Sequence, residues 1–109
     1  MATTRRTRHM DAPDPHDVPG SPGVLVRAVA ESIARRSAGE KGPVGALRSV
    51  VDMVDNDEAE LAVDDLVRVI AHFGIRIVRR EYDDLVAAAS RLDAMDSLAE
   101  VGVERFVAG

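Results

Sequence analysis

Few side chains in this sequence could carry chemistry. There is no Cys, so thiolate nucleophiles, disulfides and Cys-based zinc sites are excluded. Nucleophilic catalysis needs an activated hydroxyl or thiol beside a base. Two of the three histidines, His9 and His16, lie in a Pro-rich N-terminal stretch, which leaves His72. Near a helix C-terminus and opposite the apolar stripe, His72 reads as an exposed helix-end histidine, with a general base or phosphotransfer group as the alternative. The acids Asp52, Asp55, Asp57, Glu58 and Glu60 invite comparison with a calcium loop. An EF-hand begun at Asp55 needs an acid or amide fifth, Gly sixth and Glu twelfth, where this chain has Ala59, Glu60 and Leu66. Paired-carboxylate catalysis is equally unsupported, because nothing apolar surrounds these acids to raise a pKa. The expectation is a non-enzyme with no metal and no cofactor.

Charge narrows the partners. The 109 residues carry 14 Lys and Arg against 19 Asp and Glu, a net charge of −5. Residues 1–41 hold seven basic and five acidic residues, whereas 42–109 hold seven basic and fourteen acidic, net −7. That excess repels phosphate backbones and attracts basic partners, so nucleic acid is not an expected ligand. A helix-turn-helix over 62–92 fails on the same ground, since its second helix opens Glu81-Tyr82-Asp83-Asp84. Arg76, Arg79 and Arg80 form a small basic spot, read as a solvated turn or as salt-bridge partners.

The elements that position these residues follow from apolar spacing. Aromatics make up 3% of a chain that is 46% hydrophobic, so any core must be Val, Leu, Ile and Ala. Pro13, Pro15, Pro19 and Pro22 fall within ten residues, and residues 1–22 are expected to be disordered. The N-terminal arginines lack a following apolar stretch, so no export signal is read, and no run is long enough to span a bilayer. The expected location is cytoplasmic, with no membrane partner. Leu25, Val29, Ile33 and Arg36 recur at helical spacing, but Gly39 and Gly42-Pro43 then read as a linker. Residues 1–42 are therefore expected to be a disordered or loosely helical extension, or an over-long start.

The domain is expected at 43–109. Leu47, Val50, Val51 and Val54 make a short helix, followed by the break Asp55-Asn56-Asp57. Asp57 with Glu60 has capping-box spacing and opens a second helix reaching Phe73, with Gly74 as its terminator. Ala59, Ala62, Val63, Leu66, Val69, Ile70 and Phe73 fall on one arc of roughly 120° facing the core. Ile75–Val78 is an extended connector without a visible partner strand. A third helix from about Arg79 to Met95 buries Tyr82, Leu85, Val86, Ala89 and Leu92, and a fourth runs from about Ser97 to Phe106. Short links between them imply an all-α antiparallel bundle of about four helices. So small a core would gain from a partner or a homodimer.

The order of these elements over 47–95 resembles MafI-type immunity proteins of polymorphic toxin systems. The resemblance is carried by Glu58-Ala-Glu-Leu-Ala-Val-Asp-Asp-Leu66, the Ile75-Arg-Ile connector, Glu81-Tyr-Asp-Asp-Leu85 and Ala-Ala-Ala-Ser-Arg-Leu92. It covers about half the chain and departs from the pattern at Asp57, where a glycine is expected, and at Val78, where Ser or Thr would cap the helix. It implies a small acidic helical protein that binds and neutralises a cognate toxin, often a nuclease, made by the same cell. The contact residues expected from the acidic surface are Asp57, Glu58, Leu61, Asp64, Asp65, Arg68, Asp83 and Asp84, with Glu81 next to the last two. Leu61 either packs against another helix or stands exposed as an anchor. The alternative function is an acidic adaptor or dimerisation module with no toxin partner.

Overall fold

A computed structural model describes residues 21–108 of the chain. The expected disorder of 1–22 falls outside these residues except for Ser21 and Pro22, which cap and open the first helix. Among the described residues five α-helices follow one another: α1 (Pro22–Arg36), α2 (Lys41–Asp55), α3 (Ala59–Phe73), α4 (Arg79–Arg91) and α5 (Met95–Val101). A 3₁₀ turn over Val103–Phe106 closes the chain. The described residues form an all-α bundle.

α1 overturns the reading of 22–42 as a loose extension. Ser21 accepts from the Val24 N–H, and Pro22 sits where a missing N–H is harmless. The buried row is Val26, Val29, Ala30 and Ile33, each at most 1% exposed. That i, i+3, i+4, i+7 stripe differs from the expected row through Leu25 and Arg36. α1 packs against both α2 and α4, so it is central to the bundle. The expected linker is a tight turn over Ser37–Glu40. Gly42 and Pro43 lie inside the first turn of α2, where proline costs no intrahelical hydrogen bond.

The remaining helices bury Leu47, Val50 and Val54 from α2, Ala62, Val63, Leu66, Val67, Val69 and Ile70 from α3, and Leu85, Ala88 and Ala89 from α4. Val67 joins the core where Phe73 was expected; the Phe73 ring is 40% exposed and lies over Gly42. α3 starts at Ala59 with Glu58 at its N-cap and no side-chain cap, so Asp57 does not form the expected capping box. Asp57 instead terminates α2 at φ 65°. There its N–H donates to Val54 and the Glu58 N–H to Met53, a Schellman closure. Gly74 ends α3 in the same way, the Ile75 N–H reaching the Ile70 carbonyl at 2.9 Å.

α4 stops at Arg91 and the last expected helix is broken by Gly102 at φ 68°. The connector Ile75–Val78 is extended as expected and does find a partner. Ile77, fully buried, donates to the Phe106 carbonyl at 3.0 Å and accepts from Ala108 at 2.7 Å. This single parallel bridge to Val107 ties the chain terminus back into the core.

Candidate protein-binding surface

The outward face of α3 is built by the same periodicity that fills its core. With Ala62, Leu66, Val69 and Ile70 inward, Leu61, Arg68 and His72 are exposed and Asp64 and Asp65 are half-buried at the edges. Leu61 is 58% exposed, the highest value among the large hydrophobics exposed at the described surface. It follows Glu58 by less than one turn and precedes Asp64 and Asp65 by one. An apolar side chain on a rigid helix, rimmed by carboxylates, is what a central anchor with a polar surround requires.

The acids of this face are not equivalent. Asp64 accepts from Arg68 Nη2 at 3.1 Å and from Ser97 Oγ at 3.3 Å, so it tethers α3 to α5. Its partner Arg68 is committed to the same i, i+4 pair. Asp65 and Glu58 make no ion pair among the described residues. Asp57 is placed by the turn after α2 and Glu58 by the N-cap of α3, so both sit at the start of the face.

Asp83 and Asp84 are not brought to this face. They lie in the first half of α4, which packs on α1, and Asp84 borders a groove of about 320 Å³ between α1 and α4 together with Glu31, Arg35 and Arg80. Glu81 is not a surface acid at all. It is 3% exposed, takes both guanidinium nitrogens of Arg36, and accepts from Ser32 Oγ at 2.5 Å and from the Val78 N–H at 3.0 Å. Burial pushes its carboxyl up, but the hydrogen bonds from Arg36, Ser32 and Val78 and the Arg36 charge outweigh that and hold it below the usual carboxylate range. The same contact raises the Arg36 pKa, against a smaller opposing effect of burial.

This cluster decides what the groove can do chemically. Ser32 and Glu81 have the spacing of a nucleophile and base, yet a carboxylate already satisfied by a bidentate guanidinium has little affinity for a further proton. Its geometry is that of a latch between α1 and α4. His72 stands exposed with its ring edge-on to Phe73 at 4.7 Å, and no group of three His, Cys, Asp or Glu side chains among the described residues could hold a metal ion. No described helix is long and apolar enough to cross a membrane.

The Arg36–Glu81 pair is not legible in the sequence, where Arg36 falls on the expected row with Leu25, Val29 and Ile33. The Val-x-x-Glu spacing at 78–81 was the available signal: Glu at the third helical position reaches back to the N-cap N–H even where the cap residue cannot reciprocate. Comparison with known proteins found no matching family model, no similar curated protein and no similar solved structure.

Proposed function

We propose that this chain is an immunity protein that binds and neutralises a cognate polymorphic toxin, with a basic nuclease domain as the kind of toxin its charge fits. The observation that carries the reading is Leu61, 58% exposed on α3 beside Glu58 and Asp65. Leaving a leucine so exposed stabilises nothing in the free protein, and a partner that covers it gains the apolar area. The net −7 of residues 42–109 supports the same reading, since a phosphate-binding site lined by Lys and Arg attracts carboxylates presented on rigid helices. The MafI-like order of elements points the same way.

The test is co-expression with the large reading frame encoded beside this one. Protection of the cell and co-purification of the two products are expected. Leu61→Ala should then leave folding stability within about 0.5 kcal/mol of the parent, as an exposed side chain allows, and weaken toxin binding at least about tenfold. Absence of co-purification and of growth rescue with every neighbouring frame rejects the reading.

A further inference from the structure

Antiparallel packing gathers residues remote in sequence at the two ends of the bundle. The C-terminus of α1 and the N-terminus of α4 share one end, joined by the Arg36–Glu81 pair and by Arg36 Nη2 donating to the Arg76 carbonyl at 3.0 Å. Arg35, Arg36, Arg76, Arg79 and Arg80 converge there. Of these, only Arg36 forms an ion pair among the described residues. Arg35 and Arg80 line one groove, which Glu31 and Asp84 also border, and Arg79 lies over the Tyr82 ring at 5.4 Å. Two exposed apolar side chains, Phe73 at 40% and Val78 at 44%, stand at this end.

The opposite end has the reverse sign. It is formed by the α2–α3 and α4–α5 turns and the helix ends flanking them, which carry Asp52, Glu58, Glu60, Asp93 and Asp96, with Arg91 at the end of α4 and Arg27 paired to Asp55 beside them. It too presents two exposed apolar side chains, Leu61 at 58% and Met95 at 41%. All four of the large hydrophobics exposed at the described surface thus lie at the ends, two in an arginine setting and two in a carboxylate setting.

We propose that the arginine end docks the acidic end of a second copy of this chain, giving head-to-tail self-association. Charge complementarity selects that occupant. Two arginine ends facing each other repel, as do two acidic ends, whereas unlike ends pair guanidinium with carboxylate and bring apolar side chains together. Such a contact is heterologous, so every added copy presents the same two unlike ends again. It is weak and salt-dependent, because exposed ion pairs contribute little each and are screened. The contact shares Glu58 and Leu61 with the proposed toxin surface but needs only this chain, so its test stands apart from that reading.

Sedimentation of the full chain over a range of concentrations is the measurement. At low ionic strength the weight-average mass should rise with concentration, and about 0.5 M salt should abolish the rise. Arg76→Glu with Arg80→Glu, and separately Glu58→Lys with Asp96→Lys, should each lower the association constant about tenfold or more while circular dichroism and melting stay near the parent's. Mixing the two double variants should restore association, because the intact acidic end of the first meets the intact arginine end of the second and the two reversed ends complement each other. A chain that stays monomeric at low salt overturns the proposal. So does self-association that survives either reversal, or a mixture that fails to regain it.

Discussion

Asp93 holds its backbone at φ 57°, in the left-handed region where a β-carbon crowds the following carbonyl. It is there because α4 closes on itself, the Ala94 N–H reaching back to the Ala89 carbonyl at 2.7 Å, and that closure demands a left-handed residue. Asp tolerates the region better than most residues, yet glycine occupies it without penalty. Asp93→Gly should therefore raise stability by about 0.5–1 kcal/mol, read as a higher urea midpoint with an unchanged slope. An unchanged or lower midpoint would mean that the aspartate side chain contributes more than its backbone strain costs. The turn was not visible in sequence, where the expected third helix runs on to about Met95, since the sign of φ is set by the closing hydrogen bonds.

α1 and α4 meet through an apolar stripe and one ion pair, and each part predicts something different. Ile33 is fully buried, so Ile33→Ala should cost about 2–5 kcal/mol by chemical denaturation, a large share of what so small a domain has. A loosely attached first helix would instead lose almost nothing. Glu81→Gln keeps the shape and removes the charge that Arg36 and Ser32 are arranged to meet; a loss of about 1–3 kcal/mol is expected at neutral pH. The pH dependence follows from the sign of the shift. Because the folded carboxyl is held below its ordinary value, its contribution is complete above that value and is lost as pH falls through the lower folded one. Melting profiles of the parent and Glu81→Gln should thus be well separated at neutral pH and converge in acid. A constant separation down to acid pH would place the stabilisation elsewhere.

For the molecule as a whole, the acidic excess governs encounter with a basic partner more than it governs folding. If the proposed toxin is the partner, Asp64→Lys with Asp65→Lys should slow association with it and flatten its salt dependence, because steering scales with the net field at the contact. The stability loss should stay near 1 kcal/mol, since exposed pairs are weak and Asp64 adds one hydrogen bond from Ser97. If the double variant binds as fast as the parent at low salt, the α3 face is not where the partner arrives.

Composition and spacing alone establish an all-α chain with an aliphatic core and an acidic C-terminal portion. They also mark the breaks at Asp55–Asp57 and Gly74 and place Ala62, Val63, Leu66 and Ile70 inward. These are local matters, set by a 3.6-residue period and by which residues tolerate a helix end. The burial of Glu81, the membership of α1 in the core and the bridge from Ile77 to Val107 were decided by tertiary packing. Each depends on a neighbour many residues away: Arg36 stands 45 residues from Glu81, and no window along the chain contains both. The sign of each end of the bundle has the same origin, because antiparallel helices bring together termini that the sequence keeps apart.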